Sequence, residues 1–394
     1  MNNLAYVWAP VEIPRKPVAS QYNWITGAYD RAPEQLELPL PPVEEIILPD
    51  DGSATLLSTE NGTQLLVAGF GLFIGKKSER VVVKKGKAVC AQVPLMRIQE
   101  IVVGSRGISV SSDLIEELCE RGVRMAFLSS SGKPFALLTS PLLTATVETR
   151  RAQLEALHNE RGAEFCRWVV AGKLRNQEKL LRYFARSREG DRREPLERAA
   201  GQLRQLRKQA LACEGGDADA VRPSLMGYEG TGGRIYWRQI ANLVPAGCGF
   251  DGRDNSPGSD AVNAALNYGY GILYAHVWGA VMNAGLEPFA GLLHVDRSGK
   301  PSLVLDLVEE FRQPVVDRAL FTWLNKGGRL SVVKGLLDNG SREGVAARVL
   351  TRLTAAEQHR GKRHEVRSIV QMQARLAAGA FRGLRNYRPF AFQW

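Results

Sequence analysis

Cysteine is scarce in this 394-residue sequence, and its few copies stand far apart. The five cysteines are Cys90, Cys119, Cys166, Cys213 and Cys248, and no CxxC pair occurs. This spacing argues against a zinc ribbon or zinc finger, because such sites take ligands in closely spaced pairs. An odd, dispersed set of thiols fits reduced cysteines, so we expect a cytoplasmic protein.

Long apolar runs are also missing. No stretch approaches the roughly 18 consecutive apolar residues of a membrane-spanning helix, so no membrane span is expected. The first residues, MNNLAYVWAPVEIPRK, lack the basic start and apolar core of a signal peptide. Apolar content of 44% and charged content of 24% are ordinary for a soluble globular protein.

Acidic residues are in deficit. The chain has 52 Lys and Arg against 41 Asp and Glu, which gives a net charge of +11 and a pI of about 9.5. A basic chain favours a polyanionic partner, most simply nucleic acid. Acidic membrane lipid is the competing partner, but no lipidation motif or strongly amphipathic basic terminus supports it.

Composition and periodicity divide the chain into three parts. Residues 1–52 are rich in proline and have the composition of a linker or an extended arm. Residues 53–148 predict a small, mainly antiparallel β domain with one helix, SSDLIEELCERG, capped by Ser111 or Ser112. Its hairpin signals are Asn61-Gly62 and Lys85-Gly86-Lys87. We find no nucleophile or cofactor-binding loop in it.

Residues 149–394 predict a helical domain with basic helix faces. The segment 148–187 carries apolar residues at helical spacing, and its other face holds Arg150, Arg151, Arg161, Arg167, Lys173, Arg175, Lys179, Arg182 and Arg186. Such a face is often only solvated, although the excess of basic over acidic residues favours contacts with phosphates. Further along, Asp260 is expected to cap a long helix that ends near Gly285. His276, within that helix, is interpreted as a core histidine.

The segment 285–317 contains the densest set of chemically useful side chains. Gly299 and Pro301 predict a turn, Ser302 is a candidate N-cap, and an apolar stripe at helical spacing follows. Glu309 and Glu310 follow Asp306 by three and four residues. This spacing predicts that all three acids lie within one quadrant of the helix surface. His294 precedes the turn and could face these acids.

A divalent metal used in phosphodiester chemistry takes hard oxygen ligands, sometimes with one imidazole. The chain offers one such set, formed by Glu229, His294 and the face of Asp306, Glu309 and Glu310. An acidic helix face is more often merely solvated, so this interpretation rests on distant residues meeting in the fold.

Three segments carry a resemblance to a known family, in the family's order: YEGTGGRIYW, DAVNAALNYGYGILYA and GLEPFAGLLHVDRSGKPSLVLDLVEEFRQPVVDR. With SSDLIEELCERGVRMAFLSSSGKPFALL, they resemble the first Cas protein, the metal-dependent nuclease and integrase of CRISPR spacer acquisition. The resemblance covers about residues 53–394. It implies an α+β fold, with an N-terminal β-sandwich at 53–148 and a larger all-α catalytic domain at 149–394.

Carried over residue by residue, the resemblance implies that Glu229, His294 and Glu309 hold Mg²⁺ or Mn²⁺. Asp306 matches a second acid of the same motif and is assigned a supporting role within the catalytic set. The protein would be a homodimer, with a small second Cas protein as partner and spacer-precursor and repeat-array DNA as substrates. It would join the 3′-hydroxyl ends of new spacer DNA to the array by transesterification.

Three further positions are expected to contact DNA, namely Arg234, Asn263 and Arg312. Asn263 and Arg312 match positions near the family's active site. The loop RDNSPGSD is less basic than its usual counterpart, and residues 1–52 have no counterpart in a minimal member. Two rival functions stay open. One is a structure-specific nuclease acting on branched or damaged DNA, and the other is a non-catalytic DNA-binding scaffold.

Overall fold

The computed structural model of the chain describes residues 22–23, 28–29, 54–59, 62–138, 147–254 and 260–393. Within residues 1–41, strands β1 (Tyr22–Asn23) and β2 (Ala28–Tyr29) pair antiparallel. The other residues of the proline-rich segment 1–52, and its predicted role as a linker or arm, lie outside the described residues. Residues 42–394 form one compact unit that contains both parts described below.

Two mixed sheets form the β part of this unit. The five-stranded sheet has the order β11-β10-β8-β4-β3, and the four-stranded sheet has the order β7-β6-β5-β9. The elements are β3 (Ala54–Thr59), β4 (Gly62–Val67), β5 (Leu72–Lys77), β6 (Arg80–Lys85), β7 (Ala88–Pro94), β8 (Ile98–Val103), β9 (Ser109–Val110), helix α1 (Ser112–Glu120), β10 (Arg124–Leu128) and β11 (Pro134–Leu138). Buried aliphatic side chains from both sheets and α1 share one core, which confirms the predicted sandwich.

Both predicted hairpins are present. β3 and β4 pair antiparallel up to Thr59 and Gly62, although Asn61 itself lies outside the described residues. β6 and β7 pair antiparallel across Gly86, which has a φ of 59°. The mainly antiparallel prediction is only partly right, because β8 runs parallel to both β4 and β10. A parallel neighbour requires a longer crossover connection, and α1 lies within the connection from β8 to β10.

The rest of the chain is mainly helical, as predicted. Its helices are α2 (Val147–Ala156), α3 (Glu160–Ala185), α4 (Glu194–Leu211), α5 (Ala218–Leu243), α6 (Ala261–Asn283), α7 (Ser302–Val308), α8 (Arg318–Asn325), α9 (Asn339–Thr354) and α10 (Val366–Phe381). The first basic segment is two helices, because Asn159 ends one and caps the next by accepting from the Arg161 amide at 3.0 Å.

Helix α6 is buried along most of its length and connects the two parts of the unit. Asp260 caps it as predicted, since its carboxylate accepts from the Asn263 amide at 2.8 Å. A Cβ on Gly271 would lie 1.6 Å from the Gly132 carbonyl oxygen, so only glycine allows the β10–β11 turn to approach this closely. His276 is buried as predicted, with Nδ1 3.3 Å from the Glu100 carboxylate in β8.

The predicted acidic helix is shorter and less regular than expected. Ser302 is its first residue, and its hydroxyl donates to the Val295 and Lys300 carbonyls, so the N-cap prediction is wrong. After α7 the chain forms a π-helical segment, Arg312–Asp317, before α8 begins. Glu309 faces Lys173 and Arg312 whereas Glu310 bonds Tyr387 and Phe390, so the predicted single acidic quadrant is also wrong. Adjacent residues of a helix point about 100° apart, which separates these two carboxylates.

The helical part is not all-α, because it contains two short hairpins. β12 (Val332–Val333) pairs with β13 (Leu336–Leu337), and β14 (Ala356–His359) pairs with β15 (Lys362–Glu365). The last described residues follow α10 as an extended strap, in which Phe390 and Phe392 are buried. No helix in the described ranges is long and apolar enough to cross a membrane.

Asp317 ties α5, α6 and α8 together. Its carboxylate accepts from the hydroxyls of Tyr236, at 2.7 Å, and of Tyr270. Burial raises the pKa of Asp317 from 3.8 to about 6, and the two hydroxyls offset only part of that shift. The folded protein therefore holds this proton more tightly than the unfolded chain does.

We expect Asp317→Asn to flatten the pH dependence of stability. The contribution of Asp317 is complete below its unfolded pKa and is lost as the pH rises through about 6. The melting temperature of the wild type should fall between about pH 4 and about pH 7, and the variant should lose part of that fall. The exposed Asp191→Asn is the control and should behave as wild type. Equal falls in all three proteins would contradict the assignment.

Candidate functional site

Two of the predicted acids meet at one buried lysine. Glu229 lies in the middle of α5, and Glu309 is the residue that ends α7. The Lys173 ammonium, on α3, pairs with Oε1 of Glu229 and lies 2.7 Å from Oε2 of Glu309. Lys173 is 8% exposed and Glu309 is 3% exposed, so the charges are largely removed from water. Helices α3, α5 and α7 thus converge at this point.

His294 approaches the same centre through Asp306. The ring Nδ1 of His294 lies 2.7 Å from Oδ1 of Asp306, as the sequence suggested. Oδ2 of Asp306 accepts from the amides of Leu292 and Leu293 at 2.8 and 3.1 Å, and Oδ1 accepts from the His294 amide at 2.9 Å. With Nδ1–H donating to Asp306, the neutral imidazole presents the lone pair of Nε2 to a ligand.

Arg312 is the second cation at the centre. Its Nη2 lies 3.2 Å from Oε1 of Glu309, and its guanidinium stands over the Tyr270 ring at 5.0 Å. Glu309 therefore has one oxygen facing Arg312 and the other facing Lys173. Burial alone would raise the pKa of Glu309, but Arg312, Lys173 and His294 outweigh it and lower the pKa to about 2. Glu309 is a carboxylate at neutral pH.

The same electrostatics connect His294 to Glu309. Burial lowers the pKa of His294, but the hydrogen bond and charge of Asp306, together with the charge of Glu309, outweigh it and raise the pKa. His294 and Glu309 thus interact electrostatically, and Glu229 and Glu309 share the Lys173 ammonium. Two of the three predicted ligands contact this ammonium, and the third is close enough to Glu309 for its pKa to respond to that charge.

Glu229, His294 and Glu309 have the ligand atoms that a divalent cation takes, but their side chains are not arranged around one. Within the described ranges, no group of three His, Cys, Asp or Glu side chains stands in a metal-binding arrangement. Two carboxylates and one imidazole nitrogen are nevertheless ligands that Mg²⁺ or Mn²⁺ accepts. Oε2 of Glu309 is buried without an aligned hydrogen-bond donor in this part of the structure, and that oxygen suits a cation.

The other predicted residues occupy different places. Glu310 turns away from the centre and accepts from the Tyr387 hydroxyl at 2.8 Å and from the Phe390 amide, so it anchors the C-terminal strap. Asn263 is 1% exposed, and its side chain bonds Arg253 and the Asp254 amide at 2.9 and 3.0 Å. In this arrangement Asn263 braces a loop and presents nothing to DNA.

Arg234 is exposed on α5, beyond Glu229, and donates to the Thr231 hydroxyl at 3.0 Å. It is therefore placed where a nucleic acid can reach it. Arg312 is engaged with Glu309 and Tyr270. The predicted basic face of α3 is only partly available, because Lys173 is buried among acids and Lys179 donates to the Phe392 carbonyl.

The sequence predicted Lys173 on a basic helix face in contact with phosphates or solvent, whereas the structure buries it among acids. A signal was present, because Lys173 is the single charged residue in the run VVAGKL, residues 169–174. A lysine among apolar residues on a long helix requires a buried acidic partner.

Comparison with known proteins assigns the chain to one family. A model described as "CRISPR associated protein Cas1" matches residues 65–331. The chain belongs to the Cas1 family. A Cas1 relative from Archaeoglobus fulgidus, named a CRISPR-associated endonuclease, is 36% identical over 352 residues, with 84% of this chain and 100% of the relative covered. A Cas1 endonuclease from Francisella tularensis subsp. novicida is 31% identical, with 84% and 99% covered.

Solved structures show the same Cas1 fold at low sequence identity. A Cas1 protein from Thermotoga maritima has a TM-score of 0.66 at 18% identity, with 82% of this chain and 99% of that chain covered. A casposase bound to an integration product has a TM-score of 0.69 at 20% identity, with 83% and 93% covered. A chain of a Cas6-RT-Cas1–Cas2 complex has a TM-score of 0.67 at 20% identity, with 86% and 37% covered.

We expect Asp306→Asn to destabilise this Cas1 protein by about 3 kcal/mol, because an amide nitrogen would replace one oxygen that faces several N–H donors. Asp296→Asn, in the loop before α7, is the control, since Asp296 is exposed and accepts from one amide, that of Gly291 at 3.0 Å, among the described residues. Its loss should be about 1 kcal/mol or less. Urea unfolding measures both, and equal losses would contradict the role given to Asp306.

Proposed function

We propose that this Cas1 protein joins the 3′-hydroxyl ends of short DNA to a repeat array by metal-dependent transesterification. The observation that carries the proposal is the meeting of Glu229 and Glu309 at one buried ammonium, with His294 in electrostatic contact with Glu309. The family consists of CRISPR-associated endonucleases, which makes phosphodiester chemistry the class of reaction to consider first.

The side chains have separate tasks in this reaction. Glu229 and Glu309 supply oxygens, and His294 supplies Nε2, for one Mg²⁺ or Mn²⁺ ion. When bound, such an ion polarises the phosphate and balances the charge that gathers on it. Asp306 fixes the ring of His294, and Arg312 keeps Glu309 ionised by standing 3.2 Å from its carboxylate.

The chemistry is an exchange of one phosphodiester bond for another. The 3′-oxygen of the incoming strand attacks phosphorus in the repeat, and a new P–O bond forms. The P–O bond to the leaving 3′-oxygen breaks, and the proton lost by the attacking hydroxyl is balanced by the proton that the leaving oxygen gains. The net charge of +11 and exposed residues such as Arg234 favour retention of the DNA.

A homodimer that works with the small second Cas protein is part of this proposal. Its support is the similarity of the fold to a chain from a Cas6-RT-Cas1–Cas2 complex. The fold also resembles a casposase bound to an integration product, which is consistent with strand joining. At 20% identity these likenesses concern the fold, so the proposed activity depends on the site.

We expect Glu229→Gln and His294→Ala to lower strand joining by about 100-fold or more, since each removes a ligand of the ion that would stabilise the transition-state charge. The measurement is the yield of joined product from labelled DNA and a repeat-containing plasmid with Mn²⁺, and EDTA should abolish it. His158→Ala, at an exposed position between α2 and α3, is the control and should join as wild type. Equal yields from wild type, Glu229→Gln and His294→Ala would remove the site from consideration.

A donor strand that ends in a 3′-deoxy sugar separates the proposal from its nuclease rival. Without the attacking hydroxyl, we expect no joined product, because no new phosphodiester can form. A nuclease acting only on branched DNA would cut a junction with water and would give the same products with either donor. A DNA-binding scaffold would bind DNA equally with and without EDTA and would give no joined product at all.

A further inference from the structure

Lys173 occupies the position between two carboxylates that the proposed function assigns to a metal ion. Its ammonium pairs with Glu229 and lies 2.7 Å from Oε2 of Glu309. It is a buried side chain of α3, with 8% of its surface exposed. A cation that belongs to the chain thus already neutralises the pair of acids.

The two carboxylates that would share the metal are already paired without one. Glu229 and Glu309 contribute two negative charges, Asp306 adds a third beside His294, and Lys173 and Arg312 contribute two positive charges. A divalent ion added to this set would leave a net positive charge in a largely buried site, which is unfavourable. Withdrawal of one of the two resident cations would relieve that charge.

Lys173 is the cation that can withdraw. Lysine carries a compact charge on a flexible four-carbon stem, whereas the planar guanidinium of Arg312 stands over the Tyr270 ring at 5.0 Å. The two cations also use different oxygens, since Arg312 faces Oε1 of Glu309 and Lys173 faces Oε2. Only the Lys173 contacts engage both carboxylates, so the metal and this ammonium compete for the same oxygens.

We propose that Lys173 is a tethered counter-cation that competes with the divalent metal for Glu229 and Glu309, and that a DNA phosphate receives its ammonium when the metal displaces it. This inference rests on the proposed function. Metal alone leaves the displaced ammonium without an anionic partner, whereas DNA supplies one. Metal and DNA therefore bind cooperatively, and by linkage each raises the affinity for the other by the same factor.

Titration of the full-length protein with Mn²⁺, followed by electron paramagnetic resonance, tests the competition. We expect Lys173→Met to bind Mn²⁺ about 10-fold more tightly than wild type without DNA, a typical size for such coupling. A short duplex should tighten Mn²⁺ binding to wild type but have little effect on the variant. Lys179→Met, on the same helix, is the control and should match wild type.

Two different failures can be told apart. If Glu229→Gln binds Mn²⁺ as wild type does, or if wild type binds none, the proposed metal site is wrong. If wild type binds Mn²⁺ through Glu229 and Lys173→Met binds it equally or more weakly, the site stands and the competition is wrong.

A second measurement uses the wild type alone, so it tests the proposal even if Lys173→Met does not fold. Acetic anhydride modifies accessible lysine amines, and mass spectrometry reports the extent at each position. We expect acetylation of Lys173 to rise with saturating Mn²⁺ and to fall again when DNA is added. Lys179, whose ammonium donates to the Phe392 carbonyl, is the internal reference and should not respond to the metal. No change at Lys173 would overturn the proposal.

Discussion

The burial of acidic side chains in and beside α7 is the constraint on which the helical part depends. Asp306, Glu309, Glu310 and Asp317 are each at most 3% exposed. A buried carboxylate is costly unless donors or cations match it, and these four draw their partners from different parts of the chain. The partners of these carboxylates come from the loop before α7, from the helices α3, α5 and α6, and from the C-terminal strap. Pairing with the four carboxylates therefore fixes the positions of these elements.

The same constraint separates acids that build the fold from acids that can do chemistry. Asp306 and Asp317 are matched by amides and hydroxyls, which cannot leave without local unfolding. Glu229 and Glu309 instead face a flexible lysine, so their partner can be exchanged for another cation. The proposed exchange of Lys173 for a metal depends on this difference.

Sequence patterns predicted the elements better than the directions of side chains. The hairpin β6–β7, the cap at Asp260 and the buried apolar stripe of α7 follow from local periodicity and turn chemistry. The different partners of Glu309 and Glu310 do not, because those of Glu310 lie on the strap, 77 to 80 residues later. The role of Lys173 was likewise hidden, since its partners lie 56 residues away or more.

Anomalous scattering from a crystal soaked in Mn²⁺ tests most directly whether three distant side chains share one cation. The account predicts one peak within about 2.0–2.3 Å of an oxygen of Glu229, an oxygen of Glu309 and Nε2 of His294, with the Lys173 ammonium moved away. A peak that lacks any one of these three contacts would contradict the account. So would a fully occupied metal with the Lys173 ammonium still between Glu229 and Glu309.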